Sequence, residues 1–270
     1  MIAAFDTLLD LTVRPDDGAE TVSGACQQHG HFEAEAVWFA GKVRNTKPEC
    51  PVCTELAAEA IELVQQRERK RRLADSIDRR LRASGMPRRM IDNEAAYKPV
   101  TPRASENFEV TKQYATTFAH RSGALKTGAC LVLCGNPGTG KTHLACRIGK
   151  YITERTQLIV KYATAADVSR SVRATYGDND ANEGDVIDQW AKCDLLILDE
   201  LGVKNATDYD RSLLFEIIDK RYQERLPTVV ISNLKIAEIG PATDERMMDR
   251  LRDNCTVLVF DWGSYRGSAA

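Results

Sequence analysis

The residues with the clearest chemical meaning form a glycine-rich stretch, GNPGTGKT, at positions 135–142. It matches the pattern G-x-x-x-x-G-K-[ST] in full, with an apolar run before it and an amphipathic one after it. Glycines let the backbone curl so that N–H groups face phosphate oxygens, and the lysine ammonium reaches the β- and γ-phosphates. The pattern predicts an ATP site with Mg²⁺ at the last hydroxyl, formed by Gly135, Asn136, Pro137, Gly138, Thr139, Gly140, Lys141 and Thr142.

A second motif places two acids at the end of the apolar run LLILDE, residues 195–200. We expect Asp199 to hold magnesium through water and Glu200 to orient the water that attacks the γ-phosphate. The carboxyl end of a buried strand is where open α/β sheets carry their functional groups. Asn233 ends another apolar run and is expected to contact the γ-phosphate or the attacking water. These residues, with Lys141, predict an enzyme that hydrolyses ATP.

Two residue pairs near the N-terminus, Cys26-x-x-His29 and Cys50-x-x-Cys53, have the spacing of a zinc site. Zinc takes four ligands of this kind in tetrahedral geometry, and it would organise a stretch too short to bury its own core. His31 is an alternative to His29, and free thiols or a redox pair are alternatives to a metal. The five other cysteines lie in apolar runs and are interpreted as core residues.

The elements that must position these residues alternate between strands and helices from residue 129 onward. Near-continuous apolar runs predict strands buried on both faces, and amphipathic stretches between them predict helices. The pattern predicts an α/β fold with a parallel five-stranded sheet flanked by helices. The expected strands are residues 129–135, 158–164, 195–200, 227–233 and 256–262.

The chain divides into three zones by composition. We expect a zinc-binding module at 1–54, a basic amphipathic helix and linker at 55–106, and an ATPase domain at 107–270. In the middle zone an apolar stripe recurs at helical spacing and stops near Gly85, before a proline-containing linker. Residues 67–89 hold ten basic and three acidic side chains. This run predicts DNA binding, a docking helix, or a solvated helix face.

Overall composition narrows the class of protein further. The chain has 270 residues, 43% hydrophobic and 28% charged, with a formal net charge of −2, so any nucleic-acid contact must come from a local patch. It has no apolar run long enough to span a membrane, and its first residues lack the pattern of a signal peptide. We therefore expect a cytoplasmic protein with no membrane contact.

Five segments together resemble the DnaC-type helicase loaders, which are AAA+ P-loop ATPases, and also the related IstB-type transposition ATPases. The segments are GNPGTGKTHLA, LLILDELGV, PTVVISN, ERMMDRLRDN and FDWGSYRG, within residues 104–266. The resemblance implies an AAA+ fold and three roles. Asn233 corresponds to sensor 1, Arg250 to the arginine finger that reaches a neighbouring subunit, and Arg266 to the sensor-2 arginine. Arg246 competes with Arg250 for the finger.

The same resemblance implies what the protein acts on. Loaders of this type bind the hexameric replicative helicase, hold it open and help to place it on single-stranded DNA, as homo-oligomers with ATP sites between subunits. The 55–106 segment would then dock the helicase, and Arg170 and Arg173 would face DNA. The IstB-type alternative implies an ATPase that regulates transposition on duplex DNA. The N-terminal cysteines depart from the general loader pattern, so their contact is open.

Overall fold

The computed structural model describes residues 21–39, 42–43, 49–93, 96–120, 128–176, 182–202 and 206–265. These residues form two compact units, and the division between them falls between Ala74 and Asp75. None of the helices in these ranges combines the length and the apolar composition needed to cross a membrane.

The first unit is built from short antiparallel strand pairs and one long helix. Strands β1 (Thr21–Cys26) and β2 (Gly30–Glu35) pair as a hairpin, and β3 (Trp38–Phe39) pairs with β4 (Lys42–Val43). Gly30 has a φ of 75°, the left-handed conformation that glycine adopts without steric cost, and it closes the hairpin turn. Helix α1 (Pro51–Ala83) then begins directly after Cys50.

The second unit contains the predicted sheet. Its strands are β5 (Cys130–Gly135), β6 (Val160–Thr164), β7 (Leu195–Asp199), β8 (Thr228–Ser232) and β9 (Cys255–Phe260). They lie in the order β6-β7-β8-β5-β9, and every neighbouring pair is parallel. The prediction of a parallel five-stranded sheet is therefore confirmed. The carboxyl ends of β5, β7 and β8 consequently lie side by side at one edge.

Helices cover both faces of this sheet. They are α2 (Arg88–Ile91), α3 (Pro102–His120), α4 (Lys141–Arg155), α5 (Ala165–Arg173), α6 (Glu183–Ala191), α7 (Asp208–Gln223), α8 (Ile236–Ala242) and α9 (Glu245–Asn254). Alternate residues of each strand point to opposite faces, so Leu131 and Leu133 join one buried cluster while Val132 and Cys134 join the other. Helices α5 and α7 begin at capping boxes.

The segment between α1 and α3 differs from the expected linker of low apolar content. Met86 and Tyr97 of this segment, together with Leu81 near the end of α1, are buried in the same core cluster as the β5 and α4 side chains. Residues 75–106 therefore pack as part of the ATPase unit, whereas composition predicted that this unit begins at residue 107. The few apolar residues of this segment are buried because they have tertiary partners, which composition does not reveal. The functional boundaries at 54 and 106 stay predictions.

Candidate functional site

The predicted phosphate loop connects β5 to α4, and its shape requires glycine. Gly135 has a φ of 119°, and a side chain there would collide with the carbonyl oxygen of Phe260 in the neighbouring strand. Gly138 and Gly140 have φ values of 76° and 92°, which are also in the left-handed region. Helix α4 begins at Lys141. The loop and the first turn of the helix thus form the anion-binding geometry expected of this motif.

Lys141 is held inside the loop. Its side chain is buried, with 4% of the residue exposed, and its Nζ donates hydrogen bonds to the carbonyl oxygens of Gly135 at 2.8 Å and Asn136 at 2.6 Å. Thr139 donates from Oγ1 to the same Asn136 carbonyl at 2.8 Å. The Lys141 ammonium therefore lies inside the curl of the loop, where a cation attracts phosphate oxygens, so the loop is suited to phosphate.

The end of β7 brings Asp199 against the first turn of α4. Thr142 Oγ1 donates to Asp199 Oδ2 at 2.8 Å, and the backbone N–H of Glu200 donates to Oδ1 at 2.7 Å. The hydroxyl of Tyr162 on β6 donates to Oδ2 at 2.9 Å. Hydroxyl and carboxylate oxygens are the ligands that magnesium prefers, directly or through water. The side chains predicted from two separate motifs to hold Mg²⁺ are therefore adjacent, and they fit that ion.

Glu200 and Asn233 complete the carboxyl edge of the sheet. Both line a cleft of about 660 Å³ that also contains Lys141, Thr142 and Asp199. Glu200 has a φ of 58°, which is unfavourable for a residue other than glycine. Strained backbone of this kind persists where the surrounding structure enforces it, and it aims the exposed Glu200 side chain from the end of the strand.

An aromatic rim, which the motifs did not indicate, borders the same cleft. Tyr97 and Tyr265 contact each other edge to face, and Tyr97 stacks on His143. Tyr265 also donates its backbone N–H to the Gly138 carbonyl at 2.9 Å and its hydroxyl to the Lys98 carbonyl at 2.8 Å. The segment after β9 therefore lies directly on the phosphate loop. Burial lowers the pKa of His143, which favours the neutral imidazole.

The arginines implied by the resemblance lie elsewhere. Arg250, on α9, bonds from Nε to Asp219 at 2.9 Å, and Arg246 pairs with Asp244 at 2.8 Å. Neither side chain lines the cleft of its own subunit among the residues described. Arg266 lies outside the described residues, directly after Tyr265.

Arg170 and Arg173 line a second cavity, of about 310 Å³, whose wall includes Glu200. Both are already paired, Arg170 with Asp167 and Arg173 with Asp210. Residues 177–181, in the loop between α5 and α6, lie outside the described residues.

The four predicted zinc ligands converge in the first unit. Cys26 and His29 flank the β1–β2 turn, while Cys50 and Cys53 lie at the start of α1, and their ligand atoms all lie within 4.8 Å of one another. His31, the alternative ligand, is not in this cluster, because it belongs to β2 and pairs with Ala25. The nearest sulfurs, of Cys26 and Cys53, are 3.6 Å apart, which is far longer than a disulfide bond.

These distances match a tetrahedral zinc site. Bonds of about 2.3 Å to sulfur and about 2.0–2.1 Å to nitrogen imply about 3.8 Å between sulfurs and about 3.5 Å from sulfur to nitrogen. The observed separations are 3.6 Å between Cys26 and Cys53, and 3.3–3.6 Å from the three sulfurs to His29 Nδ1. Hydrogen bonds from backbone N–H groups lower the pKa of Cys26 to about 6, while the contact with Cys26 raises the pKa of Cys53 to about 11, so without a metal the thiolate form is favoured at Cys26.

Helix α1 exposes both the apolar side chains and the basic run that the sequence placed in the middle zone. The large apolar side chains on its first-unit part are 49–58% exposed at Leu56, Ile61, Leu63, Val64 and Leu73. The basic side chains that follow Gln66 are exposed as well, and one of them, Arg72, pairs loosely with Glu68 at 3.6 Å. Leu56, Leu63 and Val64 share one face of this 33-residue helix, and an apolar face that remains exposed is typical of an interaction surface.

Comparison with known proteins gives a consistent result. The family of IstB-like ATP binding proteins matches residues 53–269. The replicative helicase loader DnaC of Escherichia coli (strain K12) is 29% identical over 217 residues, which cover 76% of this chain and 85% of that protein. The loader DnaC of Buchnera aphidicola subsp. Baizongia pistaciae (strain Bp) is 34% identical over 160 residues, which cover 58% of this chain and 61% of that protein.

Solved structures share the fold. The crystal structure of the DnaC helicase loader has a TM-score of 0.54 at 20% identity and covers 67% of this chain and 99% of that chain. The crystal structure of DnaI has a TM-score of 0.53 at 20% identity, and the match covers 64% of this chain and 94% of that chain. The AAA+ fold class predicted from the sequence is therefore confirmed. Of the four zinc ligands, only Cys53 falls within the family match.

Proposed function

The chain belongs to the family of IstB-like ATP binding proteins, and on that premise we propose that it is an ATP-dependent loader of the replicative DNA helicase. The observation that carries the proposal is the likeness to DnaC loaders across 85% of the Escherichia coli protein. The dependence on ATP is supported by the phosphate loop, in which Thr142 Oγ1 donates a hydrogen bond to Asp199 Oδ2 at 2.8 Å. A cytoplasmic location, where replication takes place in bacteria, belongs to the same proposal.

Hydrolysis follows from the groups at the carboxyl edge of the sheet. Loop N–H groups and Lys141 bind and orient the phosphates, and Thr142 and Asp199 hold the metal. Magnesium, when bound, neutralises charge that develops on the transferring phosphoryl group. Glu200 accepts a hydrogen bond from the attacking water and orients it, and Asn233 contacts that water or the γ-phosphate.

Two arginines complete the proposed site. Arg250 acts as a finger on the γ-phosphate of a neighbouring subunit, and Arg266 acts as the sensor-2 arginine on its own nucleotide. Arg250 does not line the cleft of its own subunit, which supports action in trans. A homo-oligomer follows, because one subunit then lacks part of the cationic charge that stabilises the transition state.

The variant Glu200→Gln tests hydrolysis. We expect turnover to fall about 100-fold or more while nucleotide binding is retained, because the amide cannot accept the proton of the water. Glu224→Gln, an exposed glutamate after α7, is the matched control and is expected to leave turnover unchanged. Unchanged turnover in Glu200→Gln would show that Glu200 does not orient the attacking water. No turnover in the wild type would indicate a switch that binds ATP without hydrolysing it.

Loading requires a complex with the helicase. We expect native mass spectrometry of the chain mixed with the replicative helicase of its host to show a stable assembly containing the helicase hexamer, with the occupancy depending on ATP. No assembly under any nucleotide condition, together with binding of duplex DNA, would favour the second candidate. That candidate is a regulator of transposition of the IstB type, and the family match is the observation in its favour.

The exposed apolar stripe of α1 is the proposed helicase-docking surface. We expect Leu63→Asp to weaken the helicase complex by at least tenfold, since one buried leucine side chain contributes roughly 1.5–3 kcal/mol. Gln65→Asp, on the same helix with the same added charge, is the control. If the basic run binds single-stranded DNA instead, Arg69→Ala with Lys70→Ala will weaken DNA binding and spare the helicase complex.

The cluster of Cys26, His29, Cys50 and Cys53 is proposed to bind structural zinc. The tetrahedral separations of its ligand atoms support this proposal. Four protein ligands leave no open position, so the ion stabilises the fold rather than taking part in a reaction. We expect one zinc per chain by elemental analysis, and less than one tenth of that in Cys50→Ser. Binding of single-stranded DNA by Arg170 and Arg173 stays a proposal of the same kind.

A further inference from the structure

Tyr162, on β6, is the residue next to the magnesium site that no motif indicated. Its hydroxyl donates to Asp199 Oδ2 at 2.9 Å, and the same oxygen accepts the hydrogen bond of Thr142 Oγ1 at 2.8 Å. The residue is 9% exposed, so little water competes for this bond. Two donors on one carboxylate oxygen and the Glu200 N–H on the other fix the direction of the Asp199 carboxylate.

The Tyr162 hydroxyl is suited to donate a hydrogen bond to the Asp199 carboxylate at all times. A phenol is protonated at neutral pH, so the Tyr162 hydroxyl can donate to the Asp199 carboxylate, which only accepts. Hydrogen bonds to charged acceptors are about twice as strong as neutral ones. Without the hydroxyl, Asp199 would lose one of its three donors and gain freedom to rotate, which would reduce its value as a pre-oriented metal ligand.

The backbone of the same residue is tied to the turn that ends α1. Tyr162 N donates to the carbonyl oxygen of Ser84 at 2.7 Å, and Ser84 Oγ donates to the carbonyl of Leu81 in the last turn of the helix at 2.6 Å. Gly85 has a φ of 80°, and a Cβ added to it would lie 2.5 Å from the Tyr162 carbonyl oxygen. The turn therefore rests directly on the strand residue whose side chain holds Asp199.

We propose that Tyr162 is a positioning residue of the magnesium site, and that it links the Asp199 carboxylate to the turn ending α1. The inference rests on the proposed hydrolysis of ATP with magnesium at Thr142 and Asp199. It adds a residue to that site and a route by which a displacement of the end of α1 alters the affinity for magnesium. Helix α1 is the helix on which the docking surface is proposed, so a bound partner has a physical means of changing nucleotide binding.

The first test compares Tyr162→Phe with the wild type by titrating Mg²⁺ into protein that carries a fluorescent ATP analogue. We expect the Mg²⁺ concentration for half-maximal binding to rise about tenfold, which is the lower limit for losing a hydrogen bond to a charged group. Affinity for the analogue in EDTA should change less than about twofold. Tyr114→Phe removes a hydroxyl that bonds to the Ala129 carbonyl instead, and is the matched control.

The second test uses the backbone contact. Gly85→Ala forces a side chain against the Tyr162 carbonyl, so we expect it to raise the Mg²⁺ requirement as Tyr162→Phe does. The double variant should then be no worse than about the larger single effect, because both changes act through one contact. Gly128→Ala is the control, since Gly128 also has a positive φ, 65°, and close neighbours but lies outside the cleft.

The outcomes separate this inference from the function on which it rests. A wild-type chain whose analogue binding does not respond to Mg²⁺ would overturn the proposed magnesium site itself. A wild type that responds, with Tyr162→Phe unchanged, would overturn the positioning role. Equal losses of metal-free and Mg²⁺-dependent affinity in Tyr162→Phe would indicate a structural role only. Additive effects of Gly85→Ala and Tyr162→Phe would overturn the link to α1.

Discussion

The proposed zinc cluster and the phosphate site differ in how much buried apolar structure surrounds them. Among the first-unit residues whose side chains the structure describes, which leave out 38–48, Cys50 is the one buried apolar residue, at 7% exposure, and it is itself a proposed ligand. The phosphate site instead lies above a sheet whose central strand residues, such as Leu195 and Ile197, are fully buried. In the first region the chemical groups must hold the fold, whereas in the second the fold holds the chemical groups.

This difference predicts where each region is sensitive. Ligand loss should unfold the first unit, because the side chains that the structure describes there bury little apolar surface apart from the proposed ligands. Loss of a catalytic group should leave the second unit folded, because its stability comes from the two buried clusters on either side of the sheet.

Removing zinc should give the largest effect. Structural zinc contributes apparent free energies of about 10–16 kcal/mol in small domains. We expect Cys53→Ser, or a strong chelator, to abolish hydrogen-exchange protection in β1 and β2 while nucleotide binding by the second unit is retained. Cys130→Ser, a cysteine outside the cluster, is the control. A protected hairpin in metal-free protein would show that the first unit does not depend on its ligands.

Removing the proposed arginine finger should give the second-largest effect. We expect Arg250→Ala to lower turnover about 1,000-fold or more, while the melting temperature falls only by what the loss of its ion pairs with Asp219 and Asp249 costs. Arg246→Ala, one helical turn away, is the comparison and should retain most activity. Mixing Arg250→Ala with Lys141→Ala subunits should restore part of the turnover, since each supplies what the other lacks. Failure of any such mixture would argue against action in trans.

Strain at Glu200 should give the smallest effect. We expect Glu200→Gly to raise the free energy of unfolding by about 1 kcal/mol, because glycine tolerates the φ of 58°, while hydrolysis is lost. Arg225→Gly relieves the similar φ of 53° after α7 and should stabilise the protein with hydrolysis intact. Thermal unfolding and turnover of both variants check this. A destabilised Glu200→Gly would mean that the glutamate side chain contributes to the fold.

Local motifs predicted the two sites, but not what connects them to the rest of the chain. Spacing alone indicated the phosphate loop and four zinc ligands, because each set is close in sequence or constrained by ligand geometry. Tyr162 could not be found that way, because its contact with Asp199 depends on the neighbouring positions of β6 and β7. Tyr97 was assigned to a linker, since its burial depends on partners far away in sequence. Spacing had already favoured His29 over His31, and the pairing of His31 with Ala25 in the hairpin agrees with that choice.

Loading on a closed circle of single-stranded DNA tests the central claim most directly. A ring-shaped helicase cannot thread onto a circle, so release of an annealed oligonucleotide reports an opened and loaded ring. We predict release by the host helicase only when this chain is present with ATP, and little release when Lys141→Ala replaces it. Equal release without the chain, or with Lys141→Ala, would contradict the account that this protein uses ATP to load the helicase.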